Sequence, residues 1–150
     1  MKELKLTELQ FQELVDAHDT SFDGMDAFLN IETGEVVVLH SRSYGRDQEE
    51  EQLSEDIEEG FNEIYFRVPP RDSDEGYRDM ADFAETVEDS QLRSALMHIL
   101  GGGRRIFRRF KDALASDHQQ LERYYLFVDE RNRKRVEEWL ESIELKVVIV

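Results

Sequence analysis

Apolar residues recur at helical spacing through most of the chain, and four short β-rich runs interrupt that rhythm. Thr7-Glu8-Leu9-Gln10 reads as a capping box, with Leu6 before it and Phe11 placed to close a hydrophobic staple. A helix is therefore expected from Thr7 to about Asp19, with Phe11, Leu14, Val15 and His18 on one face. Residues 27–31 and 36–40 are β-rich and flank Glu32-Thr33-Gly34-Glu35, where Gly34 can take the positive φ of a short hairpin loop. A polar loop follows over residues 41–46. Asp47 then caps an acidic helix in which only Leu53 and Ile57 are apolar, and Gly60 ends it. Residues 63–68 read as a third strand, stopped by Pro69-Pro70.

Helical spacing resumes at Tyr77, Met80, Ala81, Ala84 and Val87, and again at Leu92, Ala95, Leu96, Ile99 and Leu100, with Asp89-Ser90 as a cap between them. Gly101-Gly102-Gly103 breaks the pattern. From Arg104 onward, placing residues 100° apart gathers Ile106, Phe107, Phe110, Ala113 and Leu114 into one arc, opposite Arg104, Arg105, Arg108, Arg109 and Lys111. Phe107 and Phe110 are assigned to the core, with Tyr124, Trp139 and Leu140 as neighbours. Leu121, Tyr124, Tyr125, Val128, Val136, Trp139, Leu140 and Ile143 keep the helical period, with Asn132 intruding on the apolar row. This is one long helix or two joined near Asp129. Residues 145–150 form an apolar strand expected to complete the sheet. The order indicates an α+β fold: a small, at least partly antiparallel sheet, made of the hairpin and two further strands, packed with five to seven helices. The C-terminal half is mostly helical. One domain over 1–150 is expected, with an acidic α/β part to about residue 70, a helical part to about 144 and the terminal strand.

Charge sharpens this picture. The 150 residues carry a formal net charge of −16, of which residues 1–100 contribute −18 and residues 101–150 contribute +2. Such a chain repels polyanions at long range, so nonspecific nucleic-acid or anionic-membrane binding needs a local exception. Cysteine is absent, which removes disulfides, thiol nucleophiles and thiolate metal sites, and fits a reducing compartment. No stretch approaches the roughly 20 apolar residues of a membrane span, and the N-terminal residues carry no apolar signal core. A cytosolic protein that makes no membrane contact is expected.

The basic segment is that local exception. Arg104 and Arg105 are expected in a helix's first turn, where the macrodipole disfavours each cation by about 0.3–1 kcal/mol. An anion would offset that cost, since free N–H groups after flexible glycines and beside arginines form a cradle for phosphate or carboxylate. Gly103, Arg104, Arg105, Arg108, Arg109 and Lys111 are thus the candidate anion- or partner-binding residues. The stretch is not a P-loop, because it lacks the Gly-Lys-Ser/Thr ending and follows no strand. A structural alternative has these arginines paired with the protein's own carboxylates. Arg131, Arg133, Lys134 and Arg135 form a second cationic run, extending the patch or pairing with Glu137, Glu138 and Glu141.

Signals for an enzyme are sparse. His18, His40, His98 and His118 show no metal-ligand spacing, and no serine sits in a Gly-x-Ser-x-Gly elbow. Asp72, Asp74, Glu75 and Asp79 could hold Mg²⁺, though the same spacing describes an acidic first helical turn. Neither a catalytic residue, a metal site nor a cofactor is assigned.

Three stretches carry a likeness: Leu29 with Thr33-Gly34-Glu35-Val36, then Phe107-Arg108-Arg109-Phe110-Lys111-Asp112 with Leu114, then Trp139-Leu140. From about residue 28 to residue 145 the chain resembles a bacterial uncharacterised protein family, number one hundred fifty-eight of its series. The resemblance implies a small bacterial cytosolic protein without assigned activity and supplies no catalytic residues.

The expectation is a non-enzymatic binding or regulatory module whose basic helix face meets an acidic protein segment, a nucleic acid or a phosphorylated ligand. A metal-dependent phosphodiesterase-type enzyme, using the acidic residues near Asp72 with the basic face as clamp, is the alternative. A structural interaction protein without a ligand site is the third.

Overall fold

Thr7 and Gln10 exchange reciprocal bonds, Gln10 N–H to Thr7 Oγ1 at 3.1 Å and Thr7 N–H to Gln10 Oε1 at 2.9 Å, and the first helix, α1 (Glu8–Thr20), starts there as its capping box requires. In the computed structural model, which describes residues 1–20, 24–41 and 45–150, the chain divides into two compact units, residues 1–71 with 132–150, and residues 72–131. Part of the polar loop expected over residues 41–46, namely Arg42, Ser43 and Tyr44, lies outside the described residues. Helices and strands give an α+β fold, with six helices among the described residues.

The first unit holds two small sheets. Strand β2 (Met25–Asn30) pairs antiparallel with β3 (Val36–His40), Leu29 opposite Val36, and on its other side with β4 (Tyr65–Arg67), Asn30 opposite Tyr65. Asn30 organises the hairpin loop: its Oδ1 accepts from Glu32 N–H at 2.9 Å and its carbonyl from Gly34 N–H at 2.8 Å. Gly34 takes φ +77°, and a Cβ there would stand 2.6 Å from Leu6 Cδ2, so both backbone angle and space require glycine. Helix α2 (Gln48–Glu59) packs on β3; Asp47 accepts from Glu50 N–H at 2.9 Å, and Gly60 donates to Asp56 O.

The C-terminal strand β5 (Leu145–Ile149) does not complete the hairpin's sheet. It pairs in parallel with β1 (Lys2–Leu6), in register from Lys2 opposite Leu145 to Leu6 opposite Ile149, as a separate two-stranded sheet. Both edges of β2 are already occupied, and β1 lies where the sequence pattern reads as a lead-in to α1. Leu4, Leu6, Phe11, Leu14, Val15, Ala27, Leu29, Val68, Val136, Leu140 and Leu145 form this unit's core. His18 is buried in it, with Nδ1 2.5 Å from Pro69 O.

The second unit comprises α3 (Ser73–Glu85), α4 (Ser90–Leu100), α5 (Ile106–Ala115) and residues 118–131 of α6 (His118–Ser142). Its core is Met80, Phe83, Ala84, Val87, Leu96, Leu100, Phe110, Leu114, Tyr124 and Val128. Tyr124 is its aromatic centre, with ring centroids 5.2 Å from Phe83 edge-on and 5.3 Å from Phe110. Two expected neighbours of Phe110 are elsewhere: Leu140 and Trp139 belong to the first unit's core. Helix α6 is continuous past Asp129, and Asn132 is tolerated in its apolar row because its Nδ2 donates to Asp19 Oδ1 at 3.1 Å. Among the described residues, no helix is long and apolar enough to cross a membrane.

Candidate functional site

The basic segment begins where α4 stops. Gly101 N–H reaches Met97 O and His98 O, Tyr77 Oη donates to Leu100 O at 2.8 Å, and Gly102 and Gly103 continue at φ +138° and +103°. Arg105 is itself left-handed (φ 57°, ψ 43°) and is the N-cap of α5, with no side-chain capping bond. Arg104 and Arg105 therefore precede the helix rather than occupy its first turn. The physical cause is the loop, in which Gly102, Gly103 and Arg105 all take positive φ before the chain turns into α5. Arg108 is the cation that does fall in the first turn.

Arg109 accounts for the shape of that loop. Its Nη1 donates to Gly102 O and to Arg104 O, both at 3.1 Å, tying the helix to the segment before it. A Cβ on Gly103 would lie 2.8 Å from the same Nη1, so glycine leaves the room the guanidinium fills. Of the six candidate residues, Gly103 and Arg109 hold the loop. Arg108 is exposed and lies 3.9 Å from Asp112, a contact worth little in water. Arg104, Arg105 and Lys111 are exposed, and among the described residues no ion pair involves them.

The arc assigned to the core holds in part. Phe110 and Leu114 are fully buried, Ile106 and Ala113 half-buried, and Phe107 is 40% exposed. At 60° round the helix from Phe110, on the side of Lys111, its ring sits at the margin of the apolar face. A further signal extends onto the neighbouring helix. Residues 90–111 contain six cations, Arg93, Arg104, Arg105, Arg108, Arg109 and Lys111, and no Asp or Glu, in a chain with 35 acidic residues. Helix α4 packs directly on α5, so these cations lie on one helical pair and the loop between its helices, with Asp112 as the pair's one carboxylate. Arg93, Ser94, Met97 and His98 are exposed on α4, and Arg93 Nη1 donates to Val87 O at 3.2 Å.

The other charged groups are committed differently. Asp72 is the N-cap of α3 and Glu75 its reciprocal partner, with Glu75 N–H to Asp72 Oδ1 at 2.7 Å and Asp72 N–H to Glu75 Oε1 at 3.2 Å. Asp79 is instead buried beside Arg131, Nε to Oδ1 3.1 Å. Among the described residues no group of three or more His, Asp or Glu side chains is placed to hold a metal. In the second cationic run Arg131 meets Asp79 and Asp82 and Arg133 meets Glu8 and Gln12, all on other elements, while Arg135 donates to Asn132 Oδ1 at 3.0 Å within α6. His40 lies 3.1 Å from Glu50, and His118 lies 3.0 Å from Glu122.

Compared with known proteins, the chain finds no match among curated proteins and none among solved structures. A sequence profile of an uncharacterised protein family, UPF0158, matches residues 5–150.

Proposed function

This chain belongs to the uncharacterised protein family UPF0158, and from that footing we propose that it is a bacterial, cytoplasmic, non-enzymatic binding module whose basic face at the start of α5 receives an anionic partner. The observation that carries the reading is a contrast between cations. Arg67, Arg71, Arg131 and Arg133 each meet a carboxylate, whereas Arg104, Arg105 and Lys111 stand exposed with no ion pair among the described residues. In a chain with 35 acidic residues and 19 basic ones, leaving these cations clear of carboxylates favours a ligand that brings its own negative charge. Arg109 and Gly103 set the loop that presents them. A cysteine-free, strongly acidic composition supports a reducing, aqueous location.

The test is retention on immobilised heparin and polyglutamate at low salt. Wild type should be retained on at least one of these polyanions and elute earlier after Arg104→Glu with Arg105→Glu and Arg108→Glu. Equal elution of a correctly folded triple variant removes the basic face from consideration.

A further inference from the structure

The segment from α4 through α5, with six cations against one carboxylate, Asp112, offers an anionic partner more than its charge. We infer, resting on the reading of this face as an anion-binding surface, that its partner is a single-stranded nucleic acid, with the phosphates on the arginines and a base stacked on Phe107.

Charge makes such a contact compatible with a net −16 protein. At physiological ionic strength fields decay over about 8 Å, so what a bound strand feels is set by the residues it touches. Over residues 90–115 those are six cations against one carboxylate, Asp112. Five of the six are arginine, whose planar guanidinium grips phosphate oxygens in pairs and also stacks on bases.

The exposed apolar groups of α4 and α5 separate a nucleic acid from an acidic peptide or a free phosphate. Phe107 is 40% exposed and Met97 46% exposed, although Phe110, one turn along, is wholly buried. Phe107 lies two residues after Arg105, and Lys111 stands one turn beyond it on its exposed side. An aromatic face set between cations is the arrangement on which a base stacks while its flanking phosphates are neutralised. Aspartate and glutamate side chains have no ring to place there, and inorganic phosphate has no use for one. Ser94 and His98 add exposed hydrogen-bonding groups on α4.

Fluorescence anisotropy on the full chain tests this, with labelled fifteen-residue oligouridylate, oligothymidylate and oligoglutamate as probes between 50 and 200 mM salt. With Arg104, Arg105, Arg108 and Lys111 as the contacts, log affinity for the oligonucleotides should fall with log salt at a slope of about −3. Arg104→Glu with Arg105→Glu should weaken binding at least tenfold. Phe107→Ala should weaken oligonucleotide binding about tenfold and leave any oligoglutamate binding within twofold, while Phe107→Tyr keeps both. If Phe107→Ala fails to fold by circular dichroism, Phe107→Leu, which keeps bulk without a ring face, carries the comparison. Oligoglutamate binding that needs the arginines, without oligonucleotide binding, overturns the nucleic-acid inference and leaves the anionic-partner reading intact. Absence of binding to every probe overturns both, and equal losses for all probes in the Phe107 variants overturn the stacking contact.

Discussion

Arg131 Nε stands 3.1 Å from Oδ1 of Asp79, a carboxylate with no exposed surface, while its Nη1 bonds Asp82 Oδ2 at 2.6 Å. The two carboxylates share one guanidinium but differ in burial, and burial decides what each is worth. Removing Asp79 leaves Arg131 partly desolvated without its inner partner, at a cost of about 3 kcal/mol. Removing the half-exposed Asp82 costs about 1 kcal/mol or less. Urea unfolding of Asp79→Ala and Asp82→Ala, followed by circular dichroism, should rank them in that order; equal midpoints would contradict the buried pairing.

Phe107 and Phe110 provide a second contrast, three residues apart on one helix. Phe110→Ala empties a fully enclosed position and should cost about 3–5 kcal/mol. Phe107→Ala, at the margin, should cost roughly half of that or less. The measurement is again the shift in denaturant midpoint, and a larger loss at Phe107 would show that the helix is rotated about its axis.

The strap from Arg109 to the loop should be sensitive to Gly103. Gly103→Ala places a methyl 2.8 Å from Arg109 Nη1 at a φ of +103°, and strain of about 1–3 kcal/mol should follow. Amide hydrogen exchange over residues 101–105 should accelerate in Gly103→Ala and in Arg109→Ala alike. Unchanged protection in Arg109→Ala would mean the carbonyl contacts do not order the loop.

Capping of α1 offers a fourth check. Thr7→Ala removes the Oγ1 that accepts from Gln10 N–H and should lower stability by about 1 kcal/mol, with Thr7→Ser close to wild type. A Ser variant as damaged as the Ala variant would assign the loss to the threonine methyl.

Much of the fold was legible because its signals are local. Thr7 with Gln10, Asp47, Asp89 and Gly34 each act over two to four residues, and each sits where the pattern puts it. What escaped is held by distant partners. Strand β1 offers only Leu4 and Leu6 as alternating apolar residues, and its partner lies at the other end of the chain. Arg131 and Arg133 have glutamates within a helical turn, yet they bind carboxylates 49 and 125 residues away. Helical periodicity placed Trp139 and Tyr124 on one apolar row, but a row of 25 residues serves two different cores, and no local rule marks where it changes from one to the other. At the candidate site, the cations could be listed from the sequence. Their division into loop-holding Arg109 and outward-facing Arg104, Arg105 and Lys111 could not, since a left-handed arginine has no sequence signature.

The parallel pairing of β1 with β5 also sets an order of events during synthesis. Residues 72–131 are contiguous and can fold as soon as they leave the ribosome. The first unit has to wait: Leu4 and Leu6 are made before that stretch, but Val136, Leu140 and Leu145, which share their core, are made after it. Until then the nascent chain carries an unfinished hydrophobic surface, so β1 finds its partner strand only after all of residues 72–131 has been made.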